Sequence, residues 1–201
     1  KFSGHTEYLA YLCGVKSAVM MLTCPELKVV PLTIHIPIRD VPKAITKEVF
    51  EITVKTIHSG LIKDFGIKNP RILVAGLNPH ASEGGSIGTE DIDHIRPWVS
   101  DLRSQEISIS GPSSADTMFH KRARSDYDVA LCMYHDQALI PIKTIDFFGG
   151  ANVTLGLPIV RTSPDHGTAF DIAGKGIANE KSMVHAIRTA NLIIKSRRNA
   201  A

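Results

Sequence analysis

The feature that most constrains this chain is the junction "RILVAGLNPHASEGGSIGTED" at residues 71–91. Four consecutive apolar residues without polar alternation read as a strand buried on both faces. A loop rich in Gly, Asn, Pro and Ser follows, and then a helical pattern, "TEDIDHIRPWVSDLR", with Thr89 as its expected N-cap and acids in its first turn. A strand buried on both faces needs helices on either side of its sheet. "YDVALCMYH" repeats the signature at residues 127–135.

The rest of the chain alternates in the same way. "HTEYLAYLCGV" reads as a helix, and "SAVMMLT" and "VVPLTIHI" as strands. Residues 42–65 carry Ile45, Val49, Ile52 and Ile57 at helical spacing, with Pro42 in the first turn and Gly66 where a C-cap glycine belongs. "EISISG" alternates as a strand, and "NVTLGLPIVRTS" reads as a strand or a hairpin pair. Residues 180–198 close with an amphipathic helix ending in "KSRR". This order predicts an α/β fold with a largely parallel sheet and flanking helices. Nothing in residues 1–201 marks an internal domain boundary, a repeat or a low-complexity linker.

Composition excludes several function classes. A formal charge of +3 is too small to indicate nucleic acid or an anionic membrane as the partner. No apolar run approaches the ~18 residues of a membrane span, and no signal-peptide pattern opens the chain. Cys13, Cys24 and Cys132 lack paired spacing, as expected of reduced thiols in a cytoplasmic protein. The first residue is Lys1, at the edge of a helical pattern, which predicts a piece of a longer chain.

In parallel sheets chemistry gathers at the carboxyl ends of the strands. His35 ends "VVPLTIH", His80 follows "RILVAGLNP", and His135 ends "VALCMYH". Three neutral imidazoles leave a divalent cation with open coordination positions, and Asp136 and Gln137 are candidate partners that would orient them. Any one histidine taken alone is more readily a core or surface residue, and there is no HExxH or CxxC to add weight. An anion-binding set is also visible. His5 and Thr6 open the first helix, and Lys143, Asn152 and Arg161 supply charge and an amide. Solvated surface charge is the competing reading for Lys143 and Arg161. "GGSIGT" lacks the lysine of a phosphate-binding P-loop and reads first as a tight turn. The glycine-rich stretch 165–179 is a long loop of the functional type, without the usual dinucleotide fingerprint.

Taken together, "GHTEYLA", "HIPIRDVP", "GLNPHASEGGSIGTEDID", "ADTMF", "MYHDQALIPIK" and "NVTLGLPIVRTSPDHGTAFDIAGKGIA" resemble the 4-hydroxythreonine-4-phosphate dehydrogenases of pyridoxal phosphate biosynthesis, in order and over essentially the whole chain. The resemblance implies an isocitrate/isopropylmalate dehydrogenase-like fold, here lacking the N-terminal segment that precedes "GHTE" in that family. It implies a divalent metal (zinc, magnesium or cobalt) on His35, His80 and His135, and substrate contacts from His5, Thr6, Lys143, Asn152 and Arg161. It further implies NAD or NADP as cofactor, with "HGTAFDIAGKGIAN" as an adenosine-binding loop using His166, Asp171 and Asn179. The partners implied are a small phosphorylated amino acid and a second copy of the chain, each active site being completed across a homodimer interface. Asp116, Asp136 and Lys143 are the acid–base candidates. The chain departs from the usual pattern in "GPSSADTMF" and at Ala151, away from these positions. A sister dehydrogenase of another four-carbon phosphate such as erythronate or threonate 4-phosphate, a metal-dependent hydrolase of a phosphorylated small molecule, and a metal-binding remnant without activity are the competing readings.

Overall fold

Seven strands form one mixed sheet in a computed structural model that describes Phe2 and residues 4–199. The strands are β1 (Val19–Cys24), β2 (Leu27–Pro31), β3 (Ile72–Ala75), β4 (Ile109–Ser113), β5 (Val129–Cys132), β6 (Ala151–Leu155) and β7 (Thr162–Pro164), in the spatial order β4-β3-β5-β2-β1-β6-β7. The pairings β4-β3, β3-β5 and β5-β2 are parallel, whereas β2-β1, β1-β6 and β6-β7 are antiparallel. The α/β class and flanking helices therefore hold, with the parallel register confined to one half of the sheet. The reversal begins at the tight β1–β2 hairpin, where Cys24 pairs with Leu27. Two successive reversals make β6 run in the same direction as β2.

The helices are α1 (His5–Leu12), α2 (Val41–Ala44), α3 (Lys47–Phe65), α4 (Arg96–Arg103), α5 (His135–Ile145) and α6 (Lys181–Asn199). The single helix expected over 42–65 is two. Ile45 leaves the helical region with ψ 94°, and Thr46 starts α3 by accepting the Val49 N–H. The buried stripe of α3 is accordingly Phe50, Val54, Ile57 and Leu61, while Val49 and Ile52 are exposed. Gly66 ends α3 at φ 67°, where its N–H bonds the Ile62 carbonyl and Ile67 N–H bonds that of Leu61. The second predicted helix begins instead as one wide π-type turn, Asp91–Ile95, ahead of α4. Thr89 supplies only its backbone carbonyl there, to Ile92 and Asp93, so its side chain is not the expected cap. β4 begins at Ile109, later than the "EISISG" reading placed it. The run "VVPLTIHI" stays in the sheet only to Pro31. α5 is a helix not among those expected, and it carries Pro141 inside it.

Each face of the sheet has its own core. Met21, Val30, Phe50, Val54, Ile57, Leu131 and Val153 pack with α3, α4 and α6. Leu22, Val29, Ala130, Cys132, Ala138 and Ile142 pack under α5. All three cysteines are free, Cys24 and Cys132 being buried. α5 lies over β2, β5 and β1. On this same face Asn152 stands beside Leu22, Thr154 beside Met20, and Ser163 beside Asn152. A polar strip of β6 and β7 thus lies next to α5. No described helix is long and apolar enough to cross a membrane.

Candidate active site

The ends of β2, β5 and β3, three adjacent parallel strands, deliver His35, His135 and His80 to one edge of the sheet. His35 and His135 are neighbours, with ring centroids 5.7 Å apart. They line a cavity of about 260 Å³ together with Thr33, Ile38, Tyr134 and Asp136. Thr33 Oγ1 donates to the Met133 carbonyl at 2.8 Å, which fixes the β2 exit against the β5 exit. His35 itself has φ 43°, a left-handed backbone that is uncommon away from glycine and clusters at functional sites.

His135 is the first residue of α5, and its Nδ1 lies 2.6 Å from Asp136 Oδ1. His80 Nδ1 lies 2.5 Å from Glu83 Oε2. A carboxylate only accepts, so both Nδ1 atoms donate, and in the neutral tautomer that this selects Nε2 is the atom available to a cation. This is the arrangement in which an oxygen acceptor orients a metal-binding imidazole. Asp136 therefore contacts an imidazole of the expected set. Gln137 does not touch an imidazole. Its Oε1 accepts the Met133 N–H at 2.7 Å and its Nε2 donates to the Gly76 carbonyl at 2.8 Å, joining the ends of β5 and β3.

His80 sits in an unusual turn. His80, Ala81, Ser82, Glu83 and Gly84 all have positive φ, from 42° to 72°. Each non-glycine residue there costs roughly 1–2 kcal/mol of intrinsic preference. The turn folds back so tightly on β3 that a Cβ at Gly76 would stand 2.8 Å from the Ala81 Cα. Asp91, fully buried, accepts the Leu77 N–H at 2.7 Å, the Asn78 N–H at 3.0 Å and the Ser82 hydroxyl at 2.8 Å. Asn78 donates in turn to Ser82 and to Glu90. Hydrogen bonds from its own backbone and from Asn78 hold the Glu90 carboxyl below its ordinary pKa.

Among the described residues, no three His, Cys, Asp or Glu groups are gathered closely enough to hold an ion within one chain. The expected trio is thus a close pair, His35 and His135, with His80 on the neighbouring strand end. The donor chemistry fits a divalent cation.

The anion-binding candidates divide. Arg161 lies on the polar strip beside α5, its Nη1 3.1 Å from Thr154 Oγ1 and 3.5 Å from Asn152 Oδ1. No described carboxylate pairs with it, and burial pulls its pKa down from the ordinary guanidinium value. A part-buried cation with only neutral partners is poised for an anion. Lys143 is not free in the way the sequence suggested. About two turns beyond His135 on α5, its Nζ donates to the Asp165 carbonyl at 2.8 Å and stands 2.8 Å from Asp165 Oδ2, with Phe147 beneath it. The ammonium is aligned on the carbonyl, so Oδ2 remains buried without a well-directed hydrogen bond. His5 and Thr6 occupy the first turn of α1, and no hydrogen bond brings either to Arg161. Asp116 is exposed in a short turn after β4, next to the His80 turn, and it forms no hydrogen bond or ion pair with a described residue.

The stretch 165–179 is irregular apart from one turn at Phe170–Ile172. It walls a second cavity of about 570 Å³ with Lys143, Phe147, Phe148 and Ser182. His166 and Asn179 line that cavity, whereas Asp171 stands outside the lining. Asn179 Oδ1 also accepts the Lys181 N–H at the start of α6. Asp91, Glu83, Thr154 and Asp165 were not named as site residues from sequence. Only Glu83, three positions after His80, carried a usable spacing signal.

The family model described as "Pyridoxal phosphate biosynthetic protein PdxA" matches residues 1–190. The chain is 59% identical over 191 residues to 4-hydroxythreonine-4-phosphate dehydrogenase of Roseobacter denitrificans, covering 94% of this chain and 59% of that protein. It is 54% identical over 194 residues to the enzyme of the same name from Paracoccus denitrificans, covering 94% and 60%. The crystal structure of 4-hydroxythreonine-4-phosphate dehydrogenase from Klebsiella pneumoniae superposes with a TM-score of 0.86 at 41% identity, covering 96% of this chain and 58% of that one. The chain therefore spans about 60% of the length of the curated relatives it matches.

Proposed function

Because this chain belongs to the PdxA family of pyridoxal phosphate biosynthetic proteins, with the isocitrate/isopropylmalate dehydrogenase-like fold, we propose that it carries the metal and phosphate sites of a 4-hydroxythreonine-4-phosphate dehydrogenase. The observation that carries this reading is the delivery of three imidazoles to the ends of three adjacent parallel strands, two of them 5.7 Å apart. His35, His80 and His135 would hold a divalent cation, the set being completed between two copies of the chain.

When bound, the cation supplies Lewis acidity to the substrate's C3 hydroxyl, and NAD or NADP supplies the hydride acceptor. The reaction breaks the C3–H bond, the hydride going to the nicotinamide and the hydroxyl proton to a base. The resulting β-keto acid loses its carboxylate as carbon dioxide, and protonation at C2 gives 3-amino-2-oxopropyl phosphate. Of the three acid–base candidates, Asp136 is engaged with His135 and Lys143 with Asp165. Asp116 is the carboxylate left free to take the proton. Arg161, Asn152 and Thr154 would receive the phosphate, and binding energy from that remote group orients C3. His5 and Thr6 at the α1 N-terminus are the remaining phosphate donors of this reading. The 570 Å³ cavity, with His166 and Asn179 in its wall, suits the adenosine end of the dinucleotide; Asp171 would reach it only by rearrangement of its turn.

The test is nicotinamide reduction with 4-phosphooxy-threonine, NAD and a divalent metal, run beside erythronate and threonate 4-phosphates. Faster turnover of the aminated substrate supports the proposal. Turnover of the hydroxy acids alone would assign a sister dehydrogenase. Phosphate release without any need for nucleotide would assign a hydrolase.

A further inference from the structure

We propose that Asp91 is a positioning residue for metal ligation, holding the turn from which His80 would reach the cation; the inference rests on the metal reading above. An acid in the first turn of a helix ordinarily accepts that helix's own free N–H groups. Asp91 does not. Its two oxygens take the N–H groups of Leu77 and Asn78 and the hydroxyl of Ser82, all in the loop that precedes it. It is fully buried, and no described Lys or Arg pairs with it. A buried carboxylate without a cation is tolerated where both of its oxygens accept hydrogen bonds, as here.

What those acceptors secure is the run of positive φ from His80 to Gly84. Leu77 and Asn78 are the residues that enter the turn, and Ser82 is its midpoint. The carboxylate thus clamps the turn at its entry and its centre. Glu83, on the same turn, sets the imidazole ring through Nδ1. Asp91 therefore acts on the backbone of His80, and Glu83 on its ring. A second device joins them: Gly76 has no Cβ to meet Ala81, and its carbonyl is tied through Gln137 to the strand that carries His135.

Replacing Asp91 by Asn swaps one acceptor for an NH2 donor, which then faces N–H groups or a hydroxyl. The experiment titrates Co²⁺ into the protein, following its visible ligand-field absorption, with a thermal melt of each variant. His80→Ala, Asp91→Asn, Ala81→Gly and the Asp91→Asn/Ala81→Gly pair are compared with the parent. We expect Asp91→Asn to weaken Co²⁺ binding roughly 10- to 100-fold, the range for losing a group that orients a ligand, and to shift the spectrum toward that of His80→Ala. Ala81→Gly accepts positive φ without penalty, so in the Asp91→Asn background it should recover a large part of that affinity. A purely structural role would not be rescued in this way. Parent-like affinity and spectrum in Asp91→Asn, where His80→Ala has lost both, overturns the proposal alone. A loss that Ala81→Gly fails to recover also overturns it. A parent that binds no Co²⁺, or an unaltered His80→Ala, overturns the metal reading and this inference with it.

Discussion

His35 and His135 face each other at 5.7 Å between ring centroids although they leave the sheet from different strands, β2 and β5. The hydroxyl of Thr33 ties the two segments together by bonding the Met133 carbonyl, two residues before each histidine. A preset pair of imidazoles needs little rearrangement to take a cation. Asp136 orients one of them, so Asp136→Asn should weaken metal binding by about 10- to 100-fold without changing the fold. Calorimetric titration with Zn²⁺ checks this, and an unchanged affinity would remove Asp136 from the site.

Gln137 should be a structural bridge with a functional effect. Gln137→Leu strands the Met133 N–H and the Gly76 carbonyl at adjacent strand ends. The expected cost is about 1–3 kcal/mol for leaving such groups unpaired, read from urea unfolding. Metal affinity should fall as well, because the His80 and His135 strand ends are no longer tied.

Arg161 should confer stabilisation by phosphate. A ligand that binds only the folded state raises the melting temperature according to its concentration over Kd. Inorganic phosphate should therefore raise the melting temperature of the parent and not that of Arg161→Met. Without phosphate, Arg161→Met should melt at or above the parent, since a part-buried cation without a carboxylate partner has been removed.

The contact between Arg197 and Asp64 should be the costliest to break outside the site. Asp64 is 2% exposed, and Arg197 Nε donates to its Oδ1 at 2.6 Å, while Nη1 donates to the Pro158 carbonyl and Nη2 to that of Leu157. Arg197→Met leaves a buried carboxylate alone, and a loss of about 3–5 kcal/mol is expected. Adding Asp64→Leu should return much of it. Chemical denaturation of both variants measures the difference.

His185 should make stability depend on pH. Burial pulls its pKa below the ordinary imidazole value, and its Nε2 is buried without a hydrogen bond. The folded state therefore favours the neutral ring. Its contribution is fully present above the unfolded pKa of about 6.5 and is lost as pH falls through the lower folded value. Melting temperatures of the parent and His185→Gln at pH 7.5 and pH 5 should converge on the acid side, the variant lacking this share of the slope.

The strands and helices that set the scaffold were legible because each buries a simple pattern. β3 and β5 are apolar on both faces, so they read without alternation. Gly66 marked the end of α3 because φ 67° suits glycine. The antiparallel half of the sheet was not legible, since periodicity says which face a residue takes and not which way its neighbour runs. α5 was not legible either, and Pro141 lies inside it. At the site, residue types were readable but partners were not. Lys143 looked free because Asp165, which approaches it, lies 22 residues further along, just past β7. Asp91 looked like a helix-start charge because the left-handed turn it holds has no signature in the residue types that compose it.

β7 is a three-residue strand at the open margin of the sheet, hydrogen-bonded on one side only. The residues flanking it, Arg161 and Asp165, are those that would meet the phosphate and restrain Lys143. Amide exchange should accordingly be fast along this rim and slow in β2 and β5, which have neighbours on both sides. Capture of an anion would then register as a quieting of the molecule's softest border, far more than as movement at its centre.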